Sequence, residues 1–146
     1  MTTTAVAPHR DLDFARLLTF VERCVVLRLH EVLKANGATV EEWRVLSLLG
    51  DDAGHTMTEI AEYAMLPAPT LTKVVDRMVS ANLVYRRVDE ADRRRVLVFA
   101  SDRGLRTLQQ WTAAVQDGQE GLEAAVGGEE IALLRALLAR VSGRLA

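Results

Sequence analysis

Between Thr58 and Ala100 the spacing of apolar residues changes period once, and that switch constrains the fold more than anything else in the chain. Up to Ala81 the apolar positions recur at helical intervals; from Leu83 they alternate as in strands. Thr58 is the expected N-cap of a short helix running to Met65, and Leu66-Pro67-Ala68-Pro69 breaks the chain after it. A second helix is expected from Thr70 to about Ala81. Its Leu71, Val74, Val75, Met78 and Val79 follow the i, i+3, i+4, i+7, i+8 pattern of a docked helix, and Asn82 suits the left-handed residue that ends it. Leu83–Val88 and Arg95–Ala100 read as two strands flanking a charged tip, Asp89–Arg94. Two short helices joined by a tight turn and followed by a hairpin match a winged helix-turn-helix, whose second helix offers its N-terminal side chains to a major groove.

The flanks are helical. From Asp11 to about Asn36 apolar residues (Phe14, Leu17, Leu18, Val21, Val25, Leu29, Val32, Leu33) recur at helical spacing, and Asn36-Gly37 ends the run. Thr39 caps the next helix, with Glu41 and Glu42 in its first turn, and Trp43, Val45, Leu46, Leu48 and Leu49 form its buried side. Ser101 starts a further helix that runs to about Gly121 or Gly127. After Gly127-Gly128, Glu129-Glu130 opens a last helix, in which Ile131, Leu134, Leu138, Val141 and Leu145 form a narrow, coiled-coil-like seam. The fold class is therefore mainly α with a small β-hairpin wing.

Charge locates the contact surface. The net charge is −2, but residues 70–106 hold nine basic against five acidic side chains, +4, leaving −6 for the remainder. A basic island in an acidic chain is the footprint of phosphate contact. On the second helix Thr70, Lys73 and Arg77 share the face opposite the apolar stripe, flanked by Ala68 and Thr72. Hydroxyls and a methyl-sized residue suit base edges, while Lys73 and Arg77 reach guanines or phosphates. At the tip, Arg93, Arg94 and Arg95 suit a narrow minor groove. Strand alternation would place Arg93 and Arg95 on one side and Arg94 on the other, with one or two of them entering.

Other classes find no support. One cysteine, Cys24, excludes an internal disulfide framework, and three scattered histidines lack the usual zinc spacings. No nucleophile–base constellation suggests catalysis, and no cofactor is expected. No apolar run approaches the ~18 residues of a membrane span, and residues 1–8 have no secretory pattern, so a cytoplasmic, nucleoid-associated protein is expected.

The span from Asp11 to Leu145 resembles the MarR (multiple-antibiotic-resistance regulator) family of transcription factors. Met57–Met65, Pro69–Met78, Asn82–Arg86, Asp89-Glu-Ala-Asp-Arg-Arg94 and Ser101-Asp-Arg-Gly104 carry the resemblance. It implies a homodimer on double-stranded DNA, with recognition helices in successive major grooves of a pseudo-palindromic operator and wings in the flanking minor grooves. It also implies a division into a flexible arm (1–10), a dimerisation helix (11–36), a winged helix-turn-helix DNA-binding domain (37–100) and C-terminal dimerisation helices (101–146). Repression relieved by a small aromatic or phenolic effector would follow, with Arg16, His30 and Trp43 as the ligand-site residues. Peroxide sensors of the family carry a reactive cysteine near the start of the first helix. Cys24 lies well inside it and reads as a small core or interface residue. The alternative is a winged-helix effector-binding or protein-interaction module that has lost DNA binding.

Overall fold

The structure, a computed structural model, describes residues 13–146; the expected arm and the first two residues of the first helix lie outside that range. Helix α1 (Phe14–Ala35) starts at Asp13, whose carboxylate accepts the Arg16 N–H at 3.0 Å, and stops before Gly37, at φ +74°. Helix α2 (Val40–Leu49) opens on a reciprocal cap between Thr39 and Glu42. Helix α3 (Met57–Ala64) is capped in the same way by Thr56 and Glu59, not by Thr58. The reason is spacing: a glutamate reaches back to the N-cap N–H only from three residues on, and Glu59 stands three after Thr56.

Met65 takes the left-handed conformation that ends α3, and the Leu66 N–H closes onto the Ala61 carbonyl at 3.0 Å. Helix α4 (Ala68–Ser80) starts two residues earlier than Thr70. Pro69 falls in its first turn, where a missing N–H costs nothing. Asn82 is left-handed, as expected (φ +59°). Strands β1 (Val84–Val88) and β2 (Val96–Ala100) pair antiparallel in a register that sets Tyr85 opposite Phe99, and the two rings stack with centroids 5.5 Å apart. Outside both strands, His55 exchanges backbone hydrogen bonds with Val98 (3.0 and 2.8 Å), which fastens the loop before α3 to the hairpin. Helix α5 (Asp102–Val126) and helix α6 (Gly128–Leu145), divided by Gly127, complete the chain.

One core serves the middle of the chain. Leu33 of α1, Val45, Leu46 and Leu49 of α2, Ile60 of α3, Leu71, Val75 and Met78 of α4, and Val98 of β2 are essentially inaccessible, and Trp111 of α5 closes the cluster. Beyond it the burial ends abruptly. Leu33 is the one buried residue of α1, and α6 buries none. Phe14, Leu17, Leu18 and Val25 on α1, and Leu133, Leu134, Leu138 and Val141 on α6, remain exposed in the single chain. Cys24 is exposed as well, so within the chain it is not a core residue. Among the described residues no helix is long and apolar enough to cross a membrane.

The junction between hairpin and α5 is tight. Ser101 Oγ accepts the Gly104 N–H at 3.0 Å, while its hydroxyl lies 2.6 and 3.1 Å from the Asn82 and Leu83 carbonyls. A Cβ on Gly104 would collide with the Leu83 carbonyl oxygen. Gly104→Ala is therefore expected to lower unfolding stability by about 1–3 kcal/mol, the usual cost of overpacking. An unchanged urea midpoint would show that the backbone there yields freely.

Candidate nucleic-acid interface

The apolar stripe of α4 decides what the helix shows to the outside. With Leu71, Val74, Val75 and Met78 buried, Ala68, Thr70, Thr72, Lys73 and Arg77 are all exposed. The face expected from the spacing is thus assembled on one helix. Thr72 returns its hydroxyl proton to the Ala68 carbonyl at 3.0 Å, leaving its methyl and oxygen lone pairs outward. Pro67 precedes the helix and supplies no side-chain cap, unlike Thr39 and Thr56, so first-turn N–H groups remain for an external acceptor. Lys73 and Arg77 have no ion-pair partner among the described residues.

Most other cations of the basic island are neutralised. Arg86 on β1 meets Asp76 on α4 at 2.5 Å, and Arg87 meets Glu90 at 3.2 Å. The Asp76–Arg86 pair joins elements ten residues apart, and no local spacing rule would have found it. As an exposed pair it contributes at most about 1 kcal/mol. Its larger effect is to mask a carboxylate on the α4 face that would otherwise repel phosphate.

At the wing the alternation expected for the three arginines does not hold. Asp92–Arg95 is a turn, closed by the Arg95 N–H on the Asp92 carbonyl at 2.9 Å, so Arg93 and Arg94 are not on a strand. Period two applies only once the chain is extended. Asp92 Oδ1 accepts the Arg94 N–H (3.1 Å) and lies 3.3 Å from Arg94 Nε, while the Arg94 side chain stays 93% exposed. Arg93 is exposed with no ion-pair partner among the described residues. Arg95 instead turns back towards α3, 3.9 Å from both Glu59 Oε1 and Asp89 Oδ2.

The three residues expected to hold an effector are not brought together. Trp43 lines a cavity of about 170 Å³ between α1, α2 and α5, walled by Val25, Leu29, Val32 and Val115. Its Nε1–H is buried with no acceptor among the described residues. Arg16 lies exposed in the first turn of α1, and His30 lines a separate open groove with Arg23 and Arg44. Arg28 and Gln119 are the polar residues that join Trp43. Arg28 shares a helix face with Val25, Leu29 and Val32, whereas His30, two residues on, points away. Helical spacing could have selected Arg28 once the cavity face was known; Gln119 had no sequence signal.

The sequence model of the MarR family matches residues 36–95. The chain is 27% identical over 111 residues to the HTH-type transcriptional regulator FarR of Neisseria gonorrhoeae, covering 76% of each protein. Its structure is similar to that of apo MarR from E. coli (27% identity, TM-score 0.78, covering 89% of this chain and 97% of the other). The fold is also shared with the transcriptional repressor CouR bound to a 23-mer DNA duplex (21% identity, TM-score 0.83, covering 94% and 99%).

If the α4 face meets phosphate or guanine, Lys73→Ala and Arg77→Ala should each weaken DNA binding. Where the removed cation neutralises a phosphate, the slope of log K against log salt falls by about one. Affinity and slope unaltered in both variants would place the interface elsewhere.

Proposed function

We propose that the chain is a transcriptional regulator of the MarR family, whose sequence model matches its centre and whose solved members share its fold, and that it is a repressor which binds a pseudo-palindromic operator as a homodimer and is released by a small aromatic or phenolic ligand. The observation that carries the DNA half is the exposed, unpaired Lys73 and Arg77 opposite the buried stripe of α4. The side chains assigned to the major groove are Ala68, Thr70, Thr72, Lys73 and Arg77. Arg93 and Arg94 take the minor groove, and Arg95 is withdrawn from it because its charge faces Glu59 and Asp89. CouR, a protein of the same fold bound to duplex DNA, supports this use of the fold.

The dimer follows from unburied apolar surface. Helix α6 has no buried residue, and α1 leaves Phe14, Leu17, Leu18 and Val25 exposed. Each such side chain contributes about 1.5–3 kcal/mol when fully buried, and a second copy supplies the matching faces. In this reading residues 11–36 and 101–146 dimerise, and 37–100 bind DNA.

For the effector, an apolar ring fits Val25, Leu29, Val32 and Val115, and its carboxylate or phenolate accepts from Arg28 and the Trp43 indole. The buried, unpartnered Trp43 N–H supports an acceptor there, since an unsatisfied donor costs about 1–3 kcal/mol. Arg16 and His30 take no part.

Three measurements test these parts. Sedimentation at micromolar concentration should give a dimer. Affinity for its own upstream DNA should fall steeply with salt, and Arg93→Ala with Arg94→Ala should weaken it. A ligand-responsive dimer whose DNA affinity is insensitive to salt would favour the non-DNA-binding alternative. Benzoate and 4-hydroxybenzoate should quench Trp43 fluorescence, with affinity about tenfold weaker in Arg28→Ala. Equal affinity in that variant would remove the ligand from this cavity.

A further inference from the structure

The cluster of Asp51, His55 and Glu59 lies outside both the DNA face and the cavity. His55 Nε2 is 2.6 Å from Asp51 Oδ2, and His55 Nδ1 is 3.1 Å from Glu59 Oε2, so a carboxylate faces each ring nitrogen. Only the protonated imidazole donates to both. A neutral ring keeps one N–H and turns a lone pair on the other carboxylate. Glu59 carries the contact onward: Oε2 also accepts the Thr56 N–H, and Oε1 faces Arg95 of the wing, which in turn faces Asp89. The His55 backbone is meanwhile bonded in both directions to Val98 of β2.

We propose that His55 is a positioning residue for the wing: protonated, it orients Glu59 towards Arg95 and holds the hairpin against α3, and its deprotonation loosens the hairpin and weakens DNA binding. The last step rests on the DNA-binding reading; the latch itself does not. The charged groups facing His55 are Asp51 from the loop after α2 and Glu59 from α3, with Arg95 and Asp89 of the wing reached through Glu59; β2 contributes only the Val98 backbone. Burial by itself would lower the His55 pKa, but the hydrogen bonds and charges of Asp51 and Glu59 outweigh it and hold the pKa above the ordinary 6.5. Asp51 is held below 3.8 by the Ala53 N–H, against burial, with His55 adding to the lowering. A raised histidine pKa stabilises the fold fully below the unfolded value, and the contribution disappears as pH rises through the folded value. Deprotonation also leaves Glu59 and Asp89 facing Arg95 alone and Asp51 without a cation, one more net negative charge beside the proposed DNA face.

The first test uses the full-length, DNA-free protein. By NMR the His55 ring should titrate above 6.5, and Val98 amide protection, corrected for intrinsic exchange, should fall about threefold across that titration. His55→Gln should abolish the step. Glu59→Gln, which keeps the helix cap, should abolish it too and lower the His55 titration point. On a duplex selected by the wild-type protein from random-sequence DNA, affinity should fall about threefold over the same pH window and stay flat in His55→Gln. A ring that titrates at or below 6.5, or a Val98 step that persists in His55→Gln, overturns the latch. The Val98 step without affinity for any selected duplex upholds the latch and overturns operator binding.

Discussion

Seating the α4 stripe in the core is the constraint on which the rest of the arrangement depends. Leu71, Val74, Val75 and Met78 occupy one side of the helix, and their burial against α2, α3 and the hairpin leaves no freedom in its rotation. Once that side is inward, Thr70, Lys73 and Arg77 have to be outward. The proposed reading face is a consequence of packing, and packing keeps its side chains in a fixed row. The hairpin is fixed to the same helix by Asp76–Arg86 and to the loop before α3 by the His55–Val98 backbone pair. Helix α4 and the hairpin are thus tied together through short-range contacts.

Electrostatically the protein separates cations that organise the protein from cations that remain available. Arg86, Arg87, Arg94 and Arg95 all form ion pairs with carboxylates, while Lys73, Arg77 and Arg93 form none among the described residues. The +4 of residues 70–106 overstates the charge free to meet a polyanion. The paired arginines instead tie the hairpin to α4 and α3, beside the unpaired cations. In an acidic chain this concentrates attraction at one surface and discourages non-specific adhesion elsewhere.

The periphery follows a different rule. Helices α1 and α6 are amphipathic by sequence, yet their apolar sides meet little of their own chain. The cavity beside Trp43 lies where α1 and α5 meet α2, between this unpartnered layer and the core that seats α4. A ligand there would bear on the relative placement of the two parts, which gives the proposed effector a physical route to the α4 face.

Much of this is legible in the residues. The switch from period 3.6 to period 2, the apolar stripe, the Thr39 and Ser101 caps and the left-handed Asn82 are local properties, set within a few residues of chain, and sequence determines such properties alone. The Thr56–Glu59 cap is equally local; Thr58 stands nearer the apolar run but has Ala61, not a glutamate, three residues on. What the tertiary structure decided was every relation between distant elements. Arg95 faces Glu59 and Asp89, Arg86 masks Asp76, and Arg28 rather than Arg16 or His30 stands beside Trp43. Those outcomes depend on the angles at which helices cross and on a turn that takes Arg93 and Arg94 out of the strand. No spacing along the chain encodes a contact between side chains that only packing brings within reach.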